Sequence, residues 1–228
     1  MYGLDAQHDA EDPDALYRDR ENVVSATKAT DIWSRRVTAN PRDFASAWKL
    51  SRAHYWLGTN GLPASERKAA LDAGIAAART ALGIDGSRPE GHFWLAANMG
   101  ALAESFGLRQ GLKYRGPVRD ALERVLTIDP GFQQGSADRA LGRWYYKVPG
   151  VFGGNDRKSE DHLRRSLTYN PQSAISHLFL ADTLMELGRT AEARAELQSA
   201  IDAPLDPDWT PEDRRFKERA RQLLSKLK

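Results

Sequence analysis

The chain has 228 residues, 41% of them hydrophobic and 28% charged, and its 33 Lys and Arg against 31 Asp and Glu leave a net charge of +2, so no broad field draws nucleic acid or an anionic membrane. The absence of cysteine excludes disulfides, thiolate metal sites, a cysteine nucleophile and lipidation on cysteine. No apolar run reaches the roughly 18 residues of a membrane-spanning helix, and the amino terminus has no secretory pattern, which leaves a cytoplasmic chain or one from which a signal was removed.

In chain order, the first segment is acidic, with Asp5, Asp9, Glu11, Asp12 and Asp14 and no Lys or Arg, and reads as a disordered leader over residues 1–13. From Ala29 onward one element recurs: a small residue, an apolar residue four on, a small residue three further, then a turn. Its copies are Ala29, Trp33 and Arg36 before Pro41; Gly74, Ala78 and Ala81 before Gly86; Val118, Leu122 and Val125 before Pro130; Ser159, Leu163 and Ser166 before Pro171; and Ala193, Leu197 and Ala200 before Pro204–Leu205. The 4-then-3 spacing is one face of a helix, and ANP, IDG, IDP and YNP stop each one. Each copy is the second helix of a pair.

The first helices are FASAWKLSRAHYW, PEGHFWLAANMGALAE, QGSADRALGRWYY and AISHLFLADTLMEL. The turn positions 41, 86, 130 and 171 lie 45, 44 and 41 residues apart, and 34 separate Pro171 from Leu205. The longer units carry inserts between first and second helix, around Gly61, Gly111 and Gly153, which read as loops or helix extensions. Thr210 is predicted to cap a last helix with Pro211 in its first turn, whose face is Phe216, Ala220, Leu223 and Leu227.

The 34-residue period and the small residues Ala181, Ala193 and Ala200 resemble the tetratricopeptide repeat. That resemblance implies an all-α helix-pair repeat solenoid with extended inter-helix loops, a repeat domain over 14–205 and a C-terminal capping helix over 206–228. It also places the first helices on an inner face. Residues 7, 11 and 14 after each turn are Trp48, Arg52 and Tyr55; Phe93, Ala97 and Gly100; Ala137, Leu141 and Trp144; and Leu178, Asp182 and Met185. That face is mostly apolar and aromatic, which fits either a groove or tunnel for an apolar ligand or residues that simply pack.

The segments GHFWLAANMGALAE, GLKYRG, TIDP and RALGRWYYKVPG are similar to the central repeats of the TRAP transporter T component and of the regulator of microtubule dynamics family, over residues 91–171. The first resemblance implies a bacterial periplasmic helical-repeat protein with a hydrophobic pore and a protein partner; the second implies a lipid-binding repeat domain. Together they point to a non-enzymatic protein holding an apolar ligand, with Phe93, Trp94, Lys113, Tyr114, Arg143, Trp144, Tyr145 and Phe152 near the cavity beside Trp48, Tyr55, Leu141, Leu178 and Met185. Arg143, Lys147, Lys113 and Arg115 are candidates to meet a head group. The alternative is a scaffold that takes a partner helix or peptide.

No catalytic residue, metal site or cofactor is expected. His92 and His177 occupy one repeat slot, six residues after the turn, and read as packing residues; His54 and His162 lack metal-ligand spacing. GLRQGLK lacks the spacing of a phosphate loop, GGND reads as a turn, and Glu160 and Asp161 point apart on a helix. Partners are another protein or an apolar small molecule, not nucleic acid.

Overall fold

The turns explain the repeat. In the computed structural model, which describes residues 11–227, the residue before each turn position is Asn or Asp, and its side chain accepts the backbone N–H two residues on: Asn40 from Arg42 (3.2 Å), Asp85 from Ser87 (3.0 Å), Asp129 from Gly131 (2.9 Å) and Asn170 from Gln172 (3.0 Å). A short side chain that closes a turn onto its own backbone competes with helix continuation, so each second helix stops there.

Among the described residues the chain forms eleven α-helices and no strand. They are α1 (Pro13–Arg18), α2 (Val23–Ala39), α3 (Phe44–Trp56), α4 (Ala64–Ile84), α5 (Pro89–Ser105), α6 (Leu108–Ile128), α7 (Phe132–Lys147), α8 (Asp156–Tyr169), α9 (Ala174–Glu186), α10 (Thr190–Asp202) and α11 (Thr210–Lys226). Successive helices pack as pairs, α3 with α4, α5 with α6, α7 with α8 and α9 with α10. They group into two units, one up to Ile128 and one from Asp129.

In the first unit Trp33 and Trp56 are buried in one cluster with Ala26, Ala29, Ala53 and Ala77, small residues that let helices cross closely. A polar knot crosses this core. Ser51 Oγ on α3 donates to the Gly74 carbonyl on α4 (2.8 Å), and Asn98 Nδ2 on α5 donates to Ser51 Oγ (3.1 Å) and the Trp94 carbonyl (2.8 Å). The second unit repeats the device: Ser159 Oγ on α8 donates to the Gly142 carbonyl on α7 (2.8 Å) and lies 2.8 Å from Thr183 Oγ1 on α9. Glycine is required at both crossings, because a Cβ would stand 2.1 Å from Asn98 Oδ1 at Gly74 and 2.5 Å from Leu163 Cγ at Gly142.

The inserts take three forms. The first is a π-helical turn, Leu57–Gly61; the second extends α6 at its amino end; the third holds a 3-10 turn, Gly150–Phe152. Pro117 lies inside α6, where its ring lacks the N–H that would reach the Lys113 carbonyl.

Two expectations are corrected. The leader expected over 1–13 lies outside the described residues up to residue 10, and from there Asp12 caps α1 by accepting the Asp14 N–H (3.0 Å). Regular helix in α7 begins near Ser136 rather than Gln134, because Gln133 (φ 44°), Gln134 (φ 58°) and Gly135 (φ 74°) are left-handed. Thr210 does not cap α11; its hydroxyl donates to the Asp206 carbonyl (2.8 Å), and Asp213 ties the loop by accepting the Asp206 N–H (2.9 Å). Phe216, Ala220, Leu223 and Leu227 pack as one face with Leu197 and Ala200 of α10.

Candidate functional site

In the first unit the candidate aromatic residues meet one another. Tyr55 on α3 and Phe93 on α5 flank Trp94 at ring distances of 5.7 Å and 5.1 Å, and Trp94 is 1% exposed, so this trio is a helix-packing contact. Tyr114 is buried, and the exposed Lys113 places its ammonium 4.6 Å from that ring. Trp48 keeps a partly open edge.

Beside it Arg52 is the centre of a cationic and aromatic cluster. Its guanidinium lies 4.1 Å from the Tyr17 ring, 5.0 Å from Trp48 and 5.9 Å from Trp33, and 3.6 Å from the Asp14 carboxylate. Lys49 donates to Asp14 at 2.6 Å. Asp14 and Tyr17 belong to α1, which begins at the edge of the acidic leader expected over residues 1–13; their role has no periodic signal, since α1 has six residues.

In the second unit Leu141 and Leu178 are closed into the core. Trp144 is mostly buried edge-on to Tyr145 (4.9 Å), and Tyr145 stacks on His162 (5.3 Å). Met185 is half-buried, and Phe152 is exposed beside Val151. Arg143 bonds the buried Asp182 at 3.1 Å and lies over Phe179 and Tyr146, so its charge is already answered within the unit. Arg219 of α11 reaches the same Asp182 oxygen at 3.0 Å. Burial, with the nearby carboxylates of Asp182 and Glu186, holds the Tyr146 hydroxyl above its usual pKa against the pull of Arg143 and Arg219.

Two of the described histidines brace turns. His92 Nε2 lies 2.9 Å from the Gly86 carbonyl and His177 Nε2 lies 2.9 Å from the Pro171 carbonyl, so the shared slot braces the turn six residues back. His177 Nδ1 also meets Glu196 at 2.6 Å; burial opposes its charge, but the Glu196 and Pro171 contacts outweigh burial and raise its pKa. Partial burial of His54 lowers its pKa against the pull of Asp31. His162 Nδ1 pairs with Asp138 at 2.7 Å. Among the described residues no cluster of His, Asp and Glu has the makings of a metal site, and no helix is long and apolar enough to cross a membrane.

Comparison with known proteins fits these features. The chain is similar in structure to TTC0263, a thermophilic TPR protein of Thermus thermophilus, with a TM-score of 0.69 and 18% identity over 93% of this chain and 97% of that one. It is similar to MamA, with a TM-score of 0.53 and 14% identity over 88% and 95%. Both likenesses establish the fold, an all-α helix-pair repeat of the solenoid class. No curated protein matches. Two family models match, each over more than half of the chain, and they reach beyond the central third that carried the resemblance. The chain is therefore a tetratricopeptide-type repeat protein that belongs to the families these models describe, regulator of microtubule dynamics protein 1-3 over residues 11–151 and TRAP transporter T-component over residues 90–228.

Proposed function

We propose that this protein is a non-enzymatic interaction scaffold that docks a segment of a partner protein on the first-helix faces of its repeats. The observation that carries this reading is what remains of those faces after packing. Trp94, Leu141 and Leu178, the apolar heart of an expected ligand cavity, are consumed by helix contacts. The groups left with open edges are mixed: Trp48, Tyr55 and Arg52 in the first unit, Met185 and Arg143 in the second. Aromatic edges beside ion-paired side chains suit a polypeptide, whose side chains alternate between apolar and ionic, better than an acyl chain, which makes no use of the polar groups next to those edges. The repeat fold supports the same reading.

The test joins two measurements. A photoreactive residue at Met185 should join the protein to one discrete polypeptide in its own cells, while one at Ala195, on the exposed side of α10, should not. Native mass spectrometry of the purified chain should show no reproducible apolar adduct. A bound lipid released on extraction and lost in Trp144→Asp would overturn the scaffold in favour of the ligand carrier.

A further inference from the structure

We infer that the α3 face of the first unit is a docking surface for a short helical turn bearing a carboxylate three residues ahead of an aromatic ring, and that α1 is its resident occupant, replaceable by a partner segment of that chemistry. This rests on the scaffold reading and names the partner for one of its faces.

α1 packs on α2, with Tyr17 in the core beside Ala26, Ala29 and Trp33, and its side-chain contacts with α3 have the composition of a bound peptide's. The Asp14 carboxylate is held by Lys49 (2.6 Å) and Arg52 (3.6 Å), and the Tyr17 ring lies under the Arg52 guanidinium (4.1 Å) and 5.8 Å from Trp33. Within α1 only Pro13 and Tyr17 are buried. The ion-paired side chains keep 37% (Asp14), 24% (Lys49) and 19% (Arg52) of their exposure, so water reaches them and the pairs can exchange. A six-residue helix has no independent stability, so α1 is helical because it is docked. Beyond α1 the chain is anchored: Trp56 Nε1 donates to the Arg20 carbonyl at 2.8 Å, and the buried Arg20 guanidinium lies 5.0 Å from the Tyr17 ring, a contact that release of α1 breaks.

The repeat slots support the same conclusion. Eleven residues after the turn the four repeats carry Arg52, Ala97, Leu141 and Asp182, so the slot is charged only in the first and last. In the first unit that charge is met by Asp14 of α1, and in the second Asp182 is met by Arg219 of α11 as well as by Arg143. Each terminal repeat thus carries a charged recognition position satisfied from a flanking helix. Trp48, partly open and 5.8 Å from the Lys49 ammonium, continues the surface beyond α1.

The probe is the chain's own segment, a fluorescent peptide of residues 11–21, read by anisotropy. The intact protein should bind it weakly, because its face is open only in the fraction of molecules whose α1 is released; Asp14→Lys with Tyr17→Ser should bind it about tenfold more tightly or better. If that variant loses its helical circular dichroism, the charge swap carries the test: in the full chain with Lys49→Glu and Arg52→Glu, α1 is repelled, and peptide carrying Asp14→Lys should bind while the unaltered peptide should not. Folded variants that bind neither peptide more tightly than the intact chain would overturn the proposal. A Met185 crosslink that persists with no peptide binding leaves the scaffold and removes this site; peptide binding without a crosslink removes the broader reading alone.

Discussion

Replacing Gly74 by Ala should be far more costly than a methyl group ordinarily is. The new Cβ would stand 2.1 Å from Asn98 Oδ1 and 2.5 Å from Asn98 Cγ, closer than any real contact, so either the amide turns away or α4 and α5 separate. Turning the amide costs its donations to Ser51 and to the Trp94 carbonyl, in a core where Asn98 is 0% exposed and water cannot replace them. Net losses of about 1 kcal/mol per hydrogen bond and about 1–3 kcal/mol for overpacking give roughly 3 kcal/mol of destabilisation. Gly100, on the same α5, is the control: a Cβ there meets nothing within 4 Å, so Gly100→Ala should stabilise by about 0.5–1 kcal/mol through helix propensity alone. Urea unfolding of both variants measures the gap, which corresponds to on the order of 10 °C in melting temperature. Gly74→Ala within about 0.5 kcal/mol of the parent would refute the polar knot as a tight crossing. Asn98→Ala should relieve part of the cost in the double variant, a coupling that independent sites do not show.

Other perturbations separate the remaining arguments. Asp182→Ala strands the partly buried Arg143 and should cost about 3–5 kcal/mol, whereas Arg219→Ala, whose side chain is 46% exposed, should cost less than about 1 kcal/mol; equal losses would mean that α11 rather than Arg143 depends on the carboxylate. His177 has a folded pKa raised above the ordinary 6.5, so its contribution to stability is complete below about pH 6.5 and fades as pH rises through the folded value. Unfolding measured from about pH 5.5 to 8.5 should show that decline in the parent, and His177→Gln should flatten it. Gly135→Ala should destabilise by about 2 kcal/mol or more, since φ is +74° and the Cβ would meet Tyr169 at 2.9 Å; a neutral result would show that the left-handed turn at 133–135 relaxes freely.

The fold was legible because its determinants are local. Turn chemistry at Asn40, Asp85, Asp129 and Asn170 and the spacing of Ala193, Leu197 and Ala200 each act within a few residues, as does the shared histidine slot, whose rings lie against the turn carbonyl six residues back. What escaped was non-local or irregular. Nothing in the pattern of α1 marks Tyr17 for burial, because the contact that buries it comes from Arg52 and Trp33. Nor does periodicity reveal three consecutive left-handed residues in α7, whose neighbours Ser166 and Tyr169 lie on α8. The Thr210 cap failed for a related reason: Asp206, four residues earlier, offered its hydroxyl a carbonyl instead.

The candidate site divides along the same line. Slot arithmetic picks out the first-helix face but leaves open whether its apolar members meet a ligand or pack, because a residue's distance from the turn does not say which neighbour covers it. Leu178 sits at the same slot as Trp48, yet Leu178 is sealed among Leu163, Leu180 and Leu184 while Trp48 keeps an open edge. The charged slots behave in the opposite way. A charge on a packed helix face is expensive to leave unanswered, so Arg52 and Asp182 mark positions that draw opposite charge: Arg52 meets Asp14 of α1, and Asp182 meets Arg143 of α7 and Arg219 of α11. Between an apolar side chain that packing can absorb and an ionic one that packing cannot, the ionic one is the stronger marker of where this repeat meets another segment. The centre of the candidate site in the first unit is therefore Arg52, with its rings and carboxylate, rather than the packed Trp94.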